Sequence, residues 1–534
     1  MITSETQSDL SSGAASKSAP GDTRRRGIKQ ALFAVSLANL CFLNSWYLVL
    51  YQSADGYFNK LPLNSPTLLA LAANLCWFSV LTWCCVRLLD QFSNRWLHLA
   101  AHLLFFGVLL LPLEFLRIYA FKIPDFRLVG FLFKPLNAAI VLLLGGLLVW
   151  QHRRAARGAA VLVGILSPFA AVTCAKIIFL LVSPASPAQG GPQRSSPALA
   201  PVPSGQPRVI WLLFDEMDFR LPFEKPLPNL QLPEFDRLRN AAFFATNAFP
   251  PGDCTIVSIP ALTTGKRFET VVFTNDTDLA VTPAGEGQAG RWSQAPSVFS
   301  EAHALGVNSG LVGWYHPYDR IFSGSLNFCE WYPMQLGQYL KATTFGAALS
   351  RQIGCLACTP FSRHIYAEMC RLSIANSLAL VANTNYGLLF FHLPPPHKPG
   401  VYNPTTGKYT IIPVPKPRAY ANNLVLADRT LGQMRHKLEE AKLWDRTWII
   451  ISSDHSWRES VVVDGQRDLR VPFLLKSAGA NSPVMYPAQF NTVLTHGLIM
   501  GIIRGEITNQ QSAVDWIDKN RAAELPVTGE PGLE

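Results

Sequence analysis

The chain has 534 residues, of which 49% are hydrophobic and 15% are charged, and its formal net charge is +10. Its length exceeds that of one ordinary domain, and its composition is too apolar for a protein that is soluble throughout. Much of the basic excess flanks apolar segments, at Arg24–Arg26 and again at Arg153, Arg154 and Arg157, where positive charge sets membrane topology. No RNA- or DNA-binding signature accompanies this charge, so we expect no nucleic-acid partner.

The N-terminal third of the sequence predicts a membrane domain at residues 28–183. Residues 1–27 are rich in Ser, Gly, Ala, Thr and charge, which predicts a disordered cytoplasmic tail without a cleavable signal peptide. Five apolar runs are each long enough to cross a bilayer, at 31–51, 67–88, 97–117, 129–150 and 158–182. Lys and Arg concentrate at alternate ends of these runs, which marks those ends as cytoplasmic. Because the number of crossings is odd, the chain after residue 183 is expected to lie outside the cytoplasm.

The rest of the chain predicts a linker and one soluble domain. Residues 184–207 are dominated by Pro, Ser, Gly and Gln, which is typical of an extended linker. Residues 208–527 alternate short apolar runs with amphipathic stretches, which indicates a largely parallel sheet covered on both faces by helices, before a tail at 528–534. The predicted strands are Val209–Phe214, Gly310–Gly313, Gly387–Phe391, Thr447–Ser452 and Val471–Leu475, and the predicted helices are 233–244, 363–382, 419–442 and 488–503.

Three of these strands end in residue types that bind metals. One runs into Asp215-Glu216, another into His392, and a third into Asp454-His455. Because the carboxyl ends of the strands in an open α/β sheet share one edge, we expect these side chains to converge there. Each motif alone also suits a helix N-cap or a solvated turn, but three in one domain favour a site. Carboxylate and imidazole ligands together suit zinc or manganese.

A candidate nucleophile lies in the segment PPGDCTIVSIPALTTGK. Thr255 follows a Pro-Gly-Asp turn and is predicted to begin a helix, where backbone N–H groups and the helix dipole favour negative charge. A metal within reach would lower the pKa of this hydroxyl and allow it to attack an ester phosphorus or sulfur. The alternative role of Thr255 is that of a plain N-cap.

Five of the ten cysteines lie outside the apolar runs, at Cys254, Cys329, Cys355, Cys358 and Cys370. In an oxidising compartment they would allow two disulfides and one remaining thiol. The CxxC motif at Cys355–Cys358 could also be a redox motif or half of a zinc site. No second pair at suitable spacing supports zinc, so a structural disulfide is the favoured interpretation.

Four segments resemble sulfatase-like enzymes of the alkaline phosphatase superfamily. RVIWLLFDEMD resembles the family's opening strand, and DRLRNAAFFATNAFPPGDCTIVSIPALTTG resembles the block that carries the nucleophile. ISSDHSW and LRVPFLLKSAG resemble the Ser-Asp-His-Gly block and the Arg-x-Pro strand, and the resemblance runs in family order across 208–505. Cys254 lacks the Pro and Arg of the formylglycine motif. Thr255 instead stands three residues before Ser258-Ile259-Pro260, as in many phosphoethanolamine transferases, although Ser456 replaces the usual Gly.

The resemblance implies an α-helical membrane domain of five transmembrane helices followed by an α/β alkaline-phosphatase-like domain in the bacterial periplasm, anchored in the inner membrane. It implies a divalent metal, with zinc favoured and Mn²⁺ or Ca²⁺ as alternatives. The implied metal ligands are Asp215, Glu216, Thr255, Asp454 and His455. The implied catalytic residues are Thr255, His392 and His397. Among the substrate-binding candidates, Lys266 and Arg267 would offset the charge that develops in the reaction. His316 lies with Tyr318 in GWYHPYDR, outside the family motifs, and this segment forms either a substrate pocket or a buried aromatic turn.

These features predict the transfer of a phospho-headgroup, phosphoethanolamine or phosphoglycerol, through a Thr255-linked intermediate. The donor would be a membrane phospholipid, and the acceptor an envelope lipid or glycan. A hydrolase of sulfate or phosphate esters with the same site is the alternative. A catalytically inactive receptor or assembly factor on this fold is a second alternative, although all the expected ligand types are present. A transporter fits poorly, because the sequence shows no inverted repeat.

Overall fold

The computed structural model describes residues 20–51, 56–123, 125–183, 196–203, 205–275, 278–285, 287–479 and 481–521. Most of the predicted tail, part of the predicted linker and the predicted C-terminal tail therefore lie outside the described residues. The predicted tail is wrong for residues 20–27, which belong to the first helix. Arg26 in that helix forms a 2.8 Å ion pair with Asp90, which ties this end to the end of another membrane helix.

Eight helices form the N-terminal region. They are α1 Pro20–Cys41, α2 Leu43–Leu50, α3 Ser65–Leu89, α4 Arg95–Phe115, α5 Asp125–Leu132, α6 Pro135–Trp150, α7 His152–Ile165 and α8 Ser167–Val182, with a π-helical turn at Leu116–Ala120 and a 3₁₀ turn at Gly56–Phe58. Among the residues that the structure describes, three helical segments are long and apolar enough to cross a membrane, at Ser65–Leu89, Arg95–Ala120 and His152–Val182. The pair α1–α2 makes a fourth if its two parts, bent by 62°, form one span.

The predicted number of five spans is not confirmed. The predicted run 129–150 divides between α5 and α6, and α6 begins at Pro135, whose ring fixes φ and removes a backbone donor. The 16 residues of α6 extend about 24 Å, which is shorter than the hydrocarbon core of about 30 Å.

The C-terminal region is an α/β domain around a sheet with nine described strands. The strands of this sheet are β1 Arg208–Phe214, β2 Phe243–Phe249, β6 Ser309–Trp314, β7 Phe328–Tyr332, β8 Leu388–Leu393, β11 Thr447–Ser452, β12 Val471–Lys476, β13 Val484–Tyr486 and β14 Phe490–Asn491. Their order is β13-β2-β12-β11-β1-β8-β6-β7, with β14 paired to β2. Strands β11, β1, β8, β6 and β7 are parallel neighbours, while β12 is antiparallel to β11 and to β2. The predicted fold class, a largely parallel central sheet, is confirmed.

The remaining elements cover this sheet or lie beside it. Strands β3 Phe268–Asn275, β4 Asp278–Pro283 and β5 Gly290–Arg291 form a separate sheet, and β9 Tyr402–Asn403 pairs with β10 Lys408–Tyr409. The helices are α9 Arg220–Phe223, α10 Pro233–Arg239, α11 Thr255–Thr264, α12 Val298–Ala304, α13 Tyr318–Ile321, α14 Gly337–Leu340, α15 Phe345–Gly354, α16 Cys358–Leu380, α17 Lys416–Glu440, α18 Val461–Asp464, α19 Thr495–Ile503 and α20 Gln510–Asn520. Further 3₁₀ turns lie at Trp292–Gln294, Trp444–Arg446 and Thr492–Leu494.

All five predicted strands are present, but two predicted helices are wrong in part. The helix predicted at 233–244 ends at Arg239, and its last two residues begin β2, which pairs with β12 and β13. The range 488–503, predicted as one helix, includes strand β14, and the observed helix in this range begins only at Thr495. In both places pairing with a distant strand outweighs local helix preference.

No disulfide joins the cysteines, because all ten are free thiols. The disulfide favoured for Cys355–Cys358 is therefore not formed. Cys355 ends α15 with its Sγ 2.8 Å from Asn44 Nδ2, and its backbone carbonyl accepts a 3.0 Å hydrogen bond from the same amide. The motif thus lies where the α/β domain packs on α2 of the membrane region.

A second junction joins the two regions at residues 56–64, between α2 and α3, which we name the docking loop. Lys341 is fully buried beneath it and donates hydrogen bonds to Asn59 Oδ1 at 3.1 Å and to the carbonyl of Leu61 at 3.2 Å. Burial lowers the pKa of the Lys341 ammonium to about 7. In these contacts the acceptors of the buried Lys341 ammonium are an amide oxygen and a backbone carbonyl, and neither is a carboxylate.

Because burial lowers the pKa of Lys341, we expect the free energy of unfolding of the protein to rise with pH. An unfolded lysine keeps its proton up to about pH 10.4, so above about pH 7 the unfolded chain binds more protons than the folded chain. The free energy of unfolding should thus increase by up to about 2–3 kcal/mol from pH 7 to pH 9. Thermal unfolding of the detergent-solubilised protein checks this. Lys341→Met should flatten the rise, and Lys437→Met, on the exposed face of α17, should not. Equal pH slopes in the wild type and Lys341→Met would contradict it.

Candidate metal centre and active site

Two carboxylates and two histidines meet at the carboxyl edge of the three central strands. Asp215 follows β1, His392 lies at the end of β8, and Asp454 with His455 follows β11. Asp215, His392 and Asp454 each offer a ligand atom within 4.8 Å of the others. His455 Nε2 lies 3.5 Å from Asp454 Oδ2 and 3.8 Å from Asp215 Oδ1. The predicted convergence of strand-end residues thus occurs, and we call these four residues the ligand cluster.

The hydroxyl of Thr255 faces the same cluster. Thr255 is the first residue of α11, and its Oγ1 lies 3.4 Å from Asp215 Oδ2 and 3.5 Å from His455 Nε2. The N-cap position belongs to Cys254, whose side chain makes no capping hydrogen bond. The hydroxyl is therefore not a plain N-cap, and it lies at the positive end of the helix dipole beside one carboxylate and one imidazole.

The cluster has the chemistry of a divalent cation site. All four side chains are fully buried, and leaving two carboxylates together in such an environment costs several kcal/mol unless a cation neutralises them. His392 Nε2 and Asp454 Oδ2 form no hydrogen bond within the described part of the chain, although both atoms are buried. Burial lowers the pKa of His392 to about 4, so its imidazole is neutral and able to bind a metal near pH 7. The residues present therefore fit zinc or manganese.

Outer hydrogen bonds orient these ligands toward the centre. His455 Nδ1 lies 2.9 Å from the carbonyl oxygen of Ser456, and since a carbonyl only accepts, Nδ1 carries the proton and Nε2 is left to bind. Tyr318 Oη lies 2.7 Å from His392 Nδ1. Asp454 Oδ1 accepts hydrogen bonds from the backbone N–H of Glu216 and of His455 itself, at 3.1 and 2.9 Å. Contacts of this kind fix the geometry of a metal site.

Glu216 belongs to a neighbouring group and not to the cluster. Its backbone is left-handed, with φ of 62°. Its Oε1 lies 3.6 Å from Arg458 Nε, and its Oε2 lies 3.8 Å from His397 Nε2. Of the two neighbouring acidic residues that were both implied as ligands, Asp215 lies in the cluster and Glu216 does not.

A model of the sulfatase family matches residues 207–498. The chain belongs to the sulfatase family. It is an enzyme of the alkaline phosphatase superfamily, and its fold and ligand cluster are consistent with hydrolysis or transfer of sulfate or phosphate esters. Enzymes of this superfamily use a divalent metal, for which the buried Asp-His-Asp group offers a site. No curated protein matches the chain in sequence.

Several solved structures are similar to this sulfatase-family chain. The sulfatase PsFucS1 from Pseudoalteromonas sp. shares 15% identity over 56% of this chain and 68% of its own, with a TM-score of 0.39. An alkaline phosphatase superfamily protein from Vibrio parahaemolyticus shares 15% identity over 58% and 69%, with a TM-score of 0.34. The phosphonate monoester hydrolase SpPMH from Silicibacter pomeroyi shares 12% identity over 60% and 78%, with a TM-score of 0.37.

The predicted substrate-binding residues of this sulfatase-family domain do not lie together. Lys266 and Arg267 follow the C-terminal end of α11, about 15 Å along the helix from Thr255. His316 is fully buried, and its Nε2 lies 3.3 Å from the backbone oxygen of Thr255. It therefore contacts the backbone of Thr255, and burial lowers the pKa of His316 to about 3.

A cleft of about 970 Å³ runs between the membrane region and the catalytic domain. Five cationic side chains line it together with one carboxylate, Glu459, and the aromatic pair Tyr420–Trp457, whose rings are stacked at 4.1 Å. Tyr420 Oη donates a 3.0 Å hydrogen bond to the carbonyl of Glu216, so the aromatic wall of the cleft adjoins the site. The lining cations are Arg117, Lys122, Arg363, Lys398 and Lys416.

Sequence reasoning missed Arg458, Tyr318 and the cations of the cleft. Arg458 follows His455 by three residues, and Lys398 follows His397 by one. Their closeness to predicted site residues could therefore have identified them as candidates. The GWYHPYDR segment, which contains Tyr318, was predicted to form either a substrate pocket or a buried aromatic turn, and not to orient a metal ligand. No local pattern distinguishes a tyrosine that orients a metal ligand from one that packs in a core.

Proposed function

We propose that this protein transfers a phospho-headgroup from a membrane phospholipid to a hydroxyl acceptor in the cell envelope, through a covalent ester on Thr255. The observation that carries the proposal is the position of the Thr255 hydroxyl, 3.4 Å from Asp215 Oδ2 at the edge of the ligand cluster. An isolated threonine hydroxyl is a weak nucleophile, and such a site is the arrangement that activates one.

A divalent cation held by Asp215, His392, Asp454 and His455 would supply Lewis-acid stabilisation of charge and would lower the pKa of the Thr255 hydroxyl. In the first step Thr255 Oγ1 attacks the phosphorus of a lipid phosphodiester. The Oγ1–P bond forms as the bond from phosphorus to the diacylglycerol oxygen breaks. Asp215 Oδ2 is the oxygen placed to accept the threonine proton, and the departing diacylglycerol oxygen takes a proton from solvent.

In the second step the acceptor hydroxyl attacks the same phosphorus, and the Oγ1–P bond breaks as Thr255 Oγ1 takes back the proton held by Asp215. His397 is the histidine suited to take the acceptor's proton, because its side chain is 14% exposed whereas that of His392 is fully buried. Burial lowers the pKa of His397, so its imidazole is neutral at pH 7 and can act as a base. Arg458, 3.6 Å from Glu216, adds positive charge beside the reacting phosphoryl group.

The cleft supports a lipid as donor. One wall comes from the membrane region, through Arg117 and Lys122, and the other from the catalytic domain, through Lys398 and Lys416. A phospholipid could therefore present its phosphate to cationic side chains while its acyl chains remain beside the membrane helices. Lys398 and Lys416 already form ion pairs with Glu459, at 3.6 and 2.8 Å, which holds them at the cleft wall.

We further propose that the protein resides in a bacterial inner membrane with its catalytic domain in the periplasm. The α1 end that carries Arg24–Arg26 pairs with Asp90 at the end of α3. The catalytic domain packs instead on α2, where Ser45 donates a 2.8 Å hydrogen bond to the carbonyl of Gln352. The arginine-rich ends thus lie opposite the catalytic domain, and positive charge marks the cytoplasmic side.

The test is to incubate the purified protein and Zn²⁺ or Mn²⁺ with each of three chromogenic esters and to measure the release of 4-nitrophenol. We expect release of 4-nitrophenol from bis(4-nitrophenyl) phosphate, with little from 4-nitrophenyl phosphate or 4-nitrophenyl sulfate. Release from the sulfate or phosphate monoester that depends on Thr255 would favour the ester hydrolase. No release from any ester, with both metals tested, would favour a catalytically inactive receptor or assembly factor.

The cleft makes a separate prediction about substrate affinity. Replacing both Lys398 and Lys416 with glutamine should raise KM for phospholipid in mixed micelles by roughly ten- to thirty-fold, since each lysine near anionic lipid contributes about 1 kcal/mol. Turnover of soluble bis(4-nitrophenyl) phosphate should change little. Lys408→Gln, on the exposed strand β10, is the matched control. An unchanged KM for phospholipid would exclude the cleft as the donor site.

A further inference from the structure

The docking loop inserts two aromatic side chains of the membrane region into the catalytic domain. Tyr57 and Phe58 are 2% and 7% exposed. Both rings contact Phe273, at centroid distances of 5.1 and 5.7 Å, and Phe58 also contacts Tyr315 at 5.3 Å. The loop is thus part of the core of the catalytic domain, although it is joined in sequence to the membrane helices.

Polar contacts fix the path of this loop. Arg320 donates hydrogen bonds to the backbone carbonyls of Tyr57 and Asn59, the first at 3.3 Å. Lys60 Nζ lies 2.5 Å from Glu330 Oε1 and 2.7 Å from the carbonyl oxygen of Trp331. The contact of Arg320 with the Tyr57 carbonyl and the packing of the Tyr57 ring on Phe273 leave the phenol little freedom to move.

That phenol reaches the backbone of the nucleophile through one histidine. Tyr57 Oη lies 2.8 Å from His316 Nδ1, and His316 Nε2 lies 3.3 Å from the carbonyl oxygen of Thr255. A carbonyl oxygen only accepts, so Nε2 carries the proton and Nδ1 accepts from the Tyr57 hydroxyl. Trp292 and Tyr315 hold the imidazole at centroid distances of 4.9 and 4.8 Å.

We infer that Tyr57 is a positioning residue for the reaction, which acts through His316 to hold the first turn of α11 so that the Thr255 hydroxyl faces the ligand cluster. The inference rests on the proposed function in taking Thr255 as the nucleophile. A displacement of about 1 Å at a reacting group can cost about 10²-fold in rate. The membrane region is then a part of the active site, because its loop supplies the hydroxyl that fixes the tautomer and orientation of His316.

The kinetic test uses the full chain and a double-mutant cycle. Tyr57→Phe keeps the ring and removes the hydroxyl, and we expect it to lower kcat for bis(4-nitrophenyl) phosphate about ten- to hundred-fold with KM unchanged. His316→Phe should lower kcat at least as far. The double variant should be no slower than His316→Phe alone, because Tyr57 acts through His316. Additive losses, or an unchanged kcat in Tyr57→Phe, would overturn the inference.

A matched control separates positioning from attachment of the loop. Lys60→Gln removes the ion pair with Glu330 three residues along the same loop and leaves the Tyr57–His316 contact in place. We expect its kcat to equal that of the wild type. A loss in Lys60→Gln as large as that in Tyr57→Phe would show that any disturbance of the loop slows the reaction, and would overturn the specific role of the hydroxyl.

A spectroscopic readout tests the contact without any turnover. In ¹⁵N-histidine-labelled protein the His316 resonance is the one that disappears in His316→Phe. We expect it to show the Nε2–H tautomer in the wild type, and its Nδ1 signal to move in Tyr57→Phe but not in Lys60→Gln. An unmoved Nδ1 signal would overturn the inference. If the wild type turns over no ester, the proposed function fails, and this spectrum alone then decides whether Tyr57 positions His316.

Discussion

Replacing Thr255 with alanine is expected to lower the turnover of bis(4-nitrophenyl) phosphate by about 10³-fold or more, because the reaction loses the atom that bonds to phosphorus. Thr255 Oγ1 lies within 3.5 Å of both Asp215 and His455, and alanine places no atom there. The rate of 4-nitrophenol release, measured with the metal that supports the wild type, checks this result.

Two further variants make the result specific to the hydroxyl. Thr255→Ser keeps a hydroxyl at the start of α11 and should retain activity within about 10²-fold of the wild type. Thr264→Ala removes a buried hydroxyl from the other end of the same helix, where it donates to the carbonyl of Pro260, and should leave kcat unchanged. Turnover by Thr255→Ala close to that of the wild type would show that the nucleophile is another group.

Replacing Asp454 with asparagine is expected to abolish both turnover and metal-dependent stabilisation. Asp454 Oδ2 is a buried carboxylate oxygen without a hydrogen bond in the described residues, and it lies 3.5 Å from His455 Nε2. An amide in its place lacks the negative charge that a divalent cation requires here. Free Zn²⁺ or Mn²⁺ at 100 times its Kd should stabilise the wild type by about 2.7 kcal/mol, and Asp454→Asn by much less.

The measurement is thermal unfolding with and without EDTA and added metal, which requires no substrate. Asp464→Asn is the control, since that carboxylate pairs with Arg220 outside the cluster. It should keep the metal-dependent rise in unfolding temperature. An equal rise in the wild type and Asp454→Asn would mean that the metal binds elsewhere, and would contradict the ligand cluster as its site.

The sheet could be predicted from sequence because its strands are buried on both faces. Each residue of Val209–Phe214 is buried, so the strand reads as an unbroken apolar run. Strand β2 was missed because its residues pair with β12 and β13 from more than 200 positions later in the chain. The predicted crossing at 129–150 is not confirmed, since hydropathy alone does not register the helix break before Pro135.

The ligand cluster could be predicted because strand ends of a parallel sheet share one edge, which gave Asp215, His392 and Asp454 without any knowledge of side-chain positions. The place of Glu216 outside the cluster could not be predicted, because its contacts with His397 and Arg458 join residues that are far apart in the chain. The contact of Tyr57 with His316 joins residues 259 positions apart, and no periodic pattern in the sequence predicts it.

The measurement that tests the central claim most directly is the intact mass of the purified protein after incubation with bacterial phospholipids and Zn²⁺ or Mn²⁺. We predict an adduct with the mass of a phospho-headgroup on the wild type, located on Thr255 by peptide fragmentation and absent from Thr255→Ala. Its mass would distinguish phosphoethanolamine from phosphoglycerol. A wild type that consumes the phospholipid while Thr255 stays unmodified under rapid quenching, or an adduct on another residue, would contradict transfer through Thr255.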